Sequence, residues 1–388
     1  MSVLRNLINK RLLPVLLIPL LIHIVSVAAN GIVLYALDLG ASVLELALIG
    51  TIGSSMELAI LLPICFLSDK YGRKKMLLLS QSLLLIGDFI RLIASKPLHI
   101  LVASLFGMGG ISEALALVAA IIGDLAIDQH ERASATSAVY LLSALGMVLG
   151  PTLASMLLQY MKVKMLFHIS FFLRLAFILY IIFVLKEPEQ TKVEWTDYKN
   201  DLINLLKNRN MFTVVFFQFF LFALFSMENT FVPVLARNVF SLSDSEIISL
   251  RSIRNFASLL FRLFSNEIFN KVSYKHLIIL LFSLSSPTIF LIPFSQNYGW
   301  LSMLYFVWGF CFGGLYLLGG VVTSLISERR NRGAAFALNH LSSAAGTFFS
   351  MIMANIASTM GVPFVFNIGA ILPLLSIVLV SKLMQEKL

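Results

Sequence analysis

The chain has 388 residues, 59% of them apolar and 13% charged, and a formal net charge of +9; its mean hydropathy is +0.90. Soluble domains carry about 45–50% apolar and about 25% charged residues, so this composition excludes a soluble enzyme, a disordered chain and a coiled coil. A helix that crosses a bilayer needs about 20 apolar residues, and at about 32 residues per helix and loop twelve spans use up the length, leaving no room for an extramembrane domain.

The basic start (Arg5, Lys10, Arg11) and the apolar run behind it have features of a signal peptide, but the run continues past Ala29 to Leu37 and reads as a retained first helix. Spans are expected at 12–37, 45–67, 76–95, 98–125, 134–160, 165–185, 210–236, 246–269, 276–295, 299–326, 334–359 and 363–383. Ser95-Lys96-Pro97, Gln296-Asn297-Tyr298-Gly299 and Gly361-Val362-Pro363 mark the short breaks. The fold class is therefore an all-α membrane protein of twelve transmembrane helices. It divides into a six-helix half at 1–187, a linker at 188–209 and a second six-helix half at 210–388. In the linker Trp195, Tyr198, Leu202, Leu205 and Leu206 recur at helical spacing, which reads either as a short amphipathic helix on the membrane face or as a disordered connection.

Lys and Arg are unevenly shared: 20 of the 29 fall on one side of the spans and 4 on the other. The positive-inside rule then puts both termini in the cytoplasm of a multi-pass cell-membrane protein. That asymmetry accounts for the net charge without nucleic acid. Cys65 and Cys311 lie in apolar runs, as buried thiols rather than a disulfide framework.

The halves repeat weakly. At a shift of 200, Asp128–Ala135 aligns with Glu328–Ala335, Gly109 with Gly309 and Gly146 with Gly346. At 201, Leu67–Lys74 falls on Ile268–Lys275. Two six-helix halves in the same orientation imply a pseudo-two-fold along the membrane normal, with substrate bound between them near the midplane.

Three motifs carry a resemblance. The loop after span two reads Leu67-Ser68-Asp69-Lys70-Tyr71-Gly72-Arg73-Lys74-Lys75. Span four holds Gly107-Met108-Gly109-Gly110, and span five holds Gly146-Met-Val-Leu-Gly150-Pro151. The first resembles the loop motif of the major facilitator superfamily, and the other two resemble motifs of its drug/proton antiporters. The resemblance implies a conformational latch at Asp69, Gly72 and Arg73, in which a carboxylate pairs with arginine and a helix N-terminus. It also implies an antiporter motif at Gly146, Gly150 and Pro151, where glycines let helices approach and proline bends one. The sequence departs from the pattern in places: Cys65 replaces the first motif's leading glycine. In the span-four motif Ala103 and Phe106 replace the arginine and glutamine. The second-half copy of the latch has lost its acid, glycine and arginine (Asn270, Ser273, Tyr274).

Charges at membrane depth are functional candidates, because each costs several kcal/mol. Asp88 and Arg91, three apart, can neutralise each other and read as structural. Glu113, with Glu57 and Glu228 as alternatives, is the candidate proton carrier; the rival reading of Glu113 is a permanent ion pair. Arg251, Arg254, Ser258 and Arg262 form one stripe on span eight, which needs anions: Glu57, Glu228 and Glu267, or the substrate itself. His23, Asn30, Arg254, Tyr305, Trp308 and His340 are the candidate substrate residues; the many Phe of span seven go all around the helix, so most are expected to face lipid or protein, and a cavity lined by some of them would suit an apolar or aromatic compound. Phosphate-loop, zinc-protease and nucleophile-elbow motifs are missing, so neither an enzyme, a metal site nor a cofactor is expected. The expected function is proton-coupled efflux of small amphipathic compounds. The alternatives are transport of an organic anion bound by the arginine stripe, or a transport-inactive sensor on the same scaffold. The partners expected are a small-molecule substrate, protons and lipid, with the chain a monomer.

Overall fold

A computed structural model describes residues 11–107, 111–125, 127, 129–187, 204–327 and 332–385. Among them every regular element is a helix. In chain order the first six rods are α1 (Leu13–Asp38), α2 (Val43–Tyr71), α3 (Arg73–Leu92), α4 (Pro97–Ser104 and Ile111–Leu125), α5 (Gln129–Leu158) and α6 (Val163–Val184). Six more follow: α7 (Arg209–Asn238), α8 (Asp244–Lys271), α9 (Tyr274–Leu291), α10 (Tyr298–Ile326), α11 (Arg332–Thr347 and Phe349–Met360) and α12 (Val362–Gly369 and Ile371–Leu383). Polar residues start several of them where the chain leaves a loop: Asn208 caps α7, Ser273 caps α9, Asn297 caps α10, and Ser243 with Glu246 closes a capping box on α8.

Nine helices among the described residues are long and apolar enough to cross a membrane. The other three rods of the order are α3, α4 and α8. Buried charges dilute α3 and α8, and α4 is cut in two. Spans one and four, read as continuous from sequence, are both interrupted. Residues Val27–Gly31 tighten into a 3-10 turn inside α1, and α4 stops at Ser104 before Gly107, whose φ is +92°. Local glycines and Asn30 weaken the helix there, a cost that apolar periodicity does not register. Of the linker helix expected over 188–209, residues 188–203 lie outside the described residues; Leu205 packs on Met211, Ala335 and Leu338.

The chain forms two compact units, Met1–Ala41 with Ile52–Glu194, and Ser42–Thr51 with Trp195–Leu388. In the first, Leu16 and Ile22 of α1, Leu117 and Ile121 of α4 and Val139 of α5 share one core. Here α1 lies on the glycines of α5: a Cβ at Gly146 would stand 2.8 Å from the His23 ring, and one at Gly150 2.9 Å from the His23 carbonyl. In the second unit a Cβ at Gly346 of α11 would stand 2.4 Å from the Phe219 carbonyl and 2.9 Å from the Ala223 amide of α7. His23 and Ala223, like Gly146 and Gly346, are 200 positions apart. Gly146 and Gly346, aligned by the weak sequence repeat, thus each seat a neighbouring helix of their own unit, Gly146 against the His23 side chain and Gly346 against the backbone of α7.

Candidate functional site

In the second unit, α8 and α10 touch backbone to backbone. A Cβ at Gly309 would lie 2.1 Å from the Arg254 carbonyl, and one at Gly313 2.6 Å from Ser258 Cα. This glycine seam brings the arginine stripe of α8 against the aromatic face of α10. Glu228 of α7 stands at the junction, 1% exposed. Its carboxylate is ion-paired with the Arg254 guanidinium. It also accepts from the Tyr305 hydroxyl at 2.8 Å and the Trp308 indole N–H at 3.4 Å. Arg254 further donates to Asn255 Oδ1 at 3.3 Å and to Asn229 Oδ1 at 3.4 Å, and its guanidinium lies over the Phe225 ring at 4.8 Å. Half-buried Arg251 donates to the Asn229 carbonyl at 3.4 Å. Among the described residues the cluster sets two guanidinium groups, Arg251 and Arg254, against one carboxylate, and a buried pair of this kind persists only when every charge is hydrogen-bonded.

An aromatic ladder continues from it. Phe225 stacks on Phe312 at 4.8 Å and Phe312 on Tyr316 at 6.2 Å, and Phe222 meets both Phe312 and Tyr316 edge-on. Arg262 lies 5.8 Å over the Tyr316 ring. The strip is cationic beside rings at both ends, an arrangement that suits a flat or apolar compound with a polar end.

The structure thus brings together four of the expected site residues: Glu228, Arg254, Tyr305 and Trp308. Of the remaining substrate candidates, His23 and Asn30 belong to the first unit and His340 to the second. His23 is buried in the first unit, 3.1 Å from Ser143 Oγ. Half-buried Asn30 donates to the Val27 carbonyl at 3.2 Å inside the turn of α1. His340 is exposed on α11. The side chains of Glu113, Glu57 and Asp69 lie outside the described residues. Pro151 sits inside α5, and Gly146 and Gly150 serve as the seat for His23.

At the latch, Gly72 adopts a φ of +113°. Arg73 donates to Ser68 Oγ at 2.6 Å and to Asp124 at 3.2 Å. Glu187, which sequence reasoning missed, accepts from the Lys74 amide at 3.1 Å, and Lys74 Nζ donates to the Ile182 carbonyl at 2.7 Å. Each side chain closes the other's helix end: Glu187 the start of α3, Lys74 the finish of α6. No pattern in sequence pointed to this pair, whose residues are far apart along the chain.

Asp88 and Arg91 pair at 3.1 Å as expected, but Arg174 shares the same carboxylate at 2.5 Å and reaches Gln81 at 2.8 Å. Arg91 also donates to the Gly107 carbonyl at 2.7 Å, holding the break in α4. The other residues missed from sequence are Asn229, Asn255 and Phe312. Asn229 and Phe312 follow Phe225 and Trp308 at a helical step of four, a signal that was present.

Helices in this order, nine of them among the described residues long and apolar enough to cross a membrane, define a polytopic membrane protein. The chain belongs to the Major Facilitator Superfamily, whose family model matches residues 15–250 and 226–387. It is similar in structure to the nucleoside transporter NupG, with a TM-score of 0.79 and 15% identity over 98% of this chain and 100% of that one. The peptide transporter POT gives 0.76 and 14% over 96% and 95%. The human organic anion transporter MFSD10 gives 0.66 and 16% over 96% and 99%. At such identities the likeness establishes the fold. No curated protein matches the chain by sequence.

Proposed function

We propose that this superfamily member is a proton-coupled secondary transporter that exports small amphipathic compounds by alternating access. It would be a cell-membrane monomer with both termini cytoplasmic. The observation that carries the reading is Glu228: a buried carboxylate held by Arg254, Tyr305 and Trp308 and lying beside the Phe225–Phe312 ladder. A proton on Glu228 cancels its charge and releases its partners. A neutral or cationic amphipath that needs the same carboxylate then competes with the proton, and mutually exclusive binding is what exchange across the membrane requires. Among the three candidate carriers, Glu228 now stands ahead of Glu113 and Glu57. The test is a reconstituted vesicle assay. Glu228→Gln, which mimics the protonated acid, is expected to retain substrate exchange and lose accumulation driven by a pH gradient. Full accumulation in that variant would return the role to Glu113 or Glu57.

A second reading is favoured by the charge count. Among the described residues two guanidinium groups stand against one carboxylate, a net positive site, which suits an organic anion. The coupling sign then reverses, because protonating Glu228 frees Arg254 for the anion and proton and substrate bind together. Anion uptake that follows protons inward would establish this reading; uptake that opposes them would exclude it. Saturable binding without any transport would favour the sensor.

A further inference from the structure

The strip does not end at the aromatic ladder. On α7, Gln218, Phe222, Phe225 and Asn229 succeed one another at steps of three and four, and on α10 so do Trp308, Phe312, Tyr316, Gly319 and Thr323. Each set lies on one helix face. Gln218 and Asn339 of α11 therefore stand at the far end of the ladder from Glu228, and ten residues of helix place Gln218 about 15 Å from it.

Both amides are buried, Gln218 being 2% exposed and Asn339 9%. They converge on Gly319. The amide of Gln218 occupies the space a side chain there would fill, since a Cβ at Gly319 would lie 1.4 Å from Gln218 Nε2. Asn339 Nδ2 donates to the Gly319 carbonyl at 3.3 Å and to Thr323 Oγ1 at 2.7 Å. Because a backbone carbonyl can only accept, that contact fixes which way the Asn339 amide faces. Its Oδ1, and Oε1 of Gln218, are then buried acceptors that no donor reaches among the described residues. Buried acceptors without a donor are rare and costly in folded proteins, and two at one glycine, beside a ring ladder, have the form of a recognition site.

We infer that Gln218 and Asn339 form a donor-reading end of the substrate site, which takes flat aromatic compounds bearing an amine or amide N–H on one edge. The ring lies on the Phe222–Tyr316 end of the ladder, and the edge N–H groups donate to Gln218 Oε1 and Asn339 Oδ1. The opposite end of the compound points toward Glu228 and Arg254. The inference rests on reading this strip as the substrate site, but its test needs neither a gradient nor a direction of transport.

The probe is 2-aminopurine, whose fluorescence falls when it stacks on an aromatic ring, with purine as the isosteric competitor lacking the amine. In purified detergent-solubilised protein, quenching is expected to saturate, with purine competing at least about tenfold more weakly, because it lacks the amine whose two N–H groups donate to Gln218 Oε1 and Asn339 Oδ1. Gln218→Met and Asn339→Leu are each expected to bring 2-aminopurine down toward purine while leaving purine itself unchanged. Tyr316→Ala should weaken both compounds. Gln218→Glu keeps an acceptor and should keep the preference, which separates lost recognition from lost folding. Equal competition by the two compounds in the wild-type protein, a preference that survives both amide substitutions, or no saturable quenching would overturn the inference. Protein that prefers 2-aminopurine but accumulates nothing under a pH gradient refutes proton coupling and leaves the donor site standing. The opposite pattern refutes the donor site alone.

Discussion

Arg254 and Glu228 stabilise one another only as a pair. Each is buried, so removing one leaves a charge in a medium that cannot solvate it. Arg254→Ala is therefore expected to cost roughly 3–5 kcal/mol of stability, read as a lower melting temperature in detergent. Combining it with Glu228→Gln should recover part of that loss, because no uncompensated carboxylate remains. Tyr305→Phe removes a single donor at 2.8 Å and should cost less, about 1–3 kcal/mol. An Arg254→Ala protein as stable as wild type, with unchanged substrate affinity, would contradict both roles given to the residue. The first unit offers a parallel. Asp88 is the shared counter-ion of Arg91 and Arg174, so Asp88→Asn takes the shared carboxylate from two buried guanidinium groups and should be more damaging than loss of either arginine.

Contacts between helices depend on where glycine sits. Gly309 and Gly320 both lie in α10, and their surroundings differ completely. A Cβ at Gly309 would meet the Arg254 backbone at 2.1 Å, whereas at Gly320 nothing stands within 4 Å. Backbone cannot give way as a side chain end can. Gly309→Ala should force α8 and α10 apart and carry Arg254 away from Glu228, abolishing transport and lowering the melting temperature. Gly320→Ala should be neutral or stabilising by about 0.5–1 kcal/mol through helix propensity; equal effects of the two would deny the seam. At the latch, Glu187 and Lys74 cap one another's helices. Glu187→Gln keeps a hydrogen-bond acceptor and loses the charge at the start of α3, for an expected cost of about 0.3–1 kcal/mol. Gly72→Ala combines a φ of +113° with a Cβ 2.7 Å from the Glu187 carboxylate and should slow transport more than Glu187→Gln does. Comparable rates for these two variants would show that the turn geometry does not matter.

At the scale of the whole molecule, the proposed orientation rests on charge. Single cysteines placed in the Lys96 and Lys162 loops of a protein lacking Cys65 and Cys311 should react with a membrane-impermeant thiol reagent from outside cells. Cysteines beside Arg209 or Lys271 should not. Reversed labelling would invert the assigned topology. Sequence alone determined the helical membrane class, the order of the rods and the repeat, because each rests on local composition or on a regular interval: lipid demands about 20 apolar residues wherever a helix crosses, and the interval from Gly146 to Gly346 is legible in the chain. It also supplied Glu228, Arg254, Tyr305 and Trp308 as separate candidates. What it did not decide was which of them meet, or that α1 and α4 break. Periodicity says which face a residue occupies on its own helix, but not which neighbour that face is turned toward. Only the packing of α7, α8 and α10, set by close contacts at Gly309 and Gly313, gives Glu228 to Arg254. Within their own units, Asn30 is bonded inside its own turn and His340 is exposed on α11.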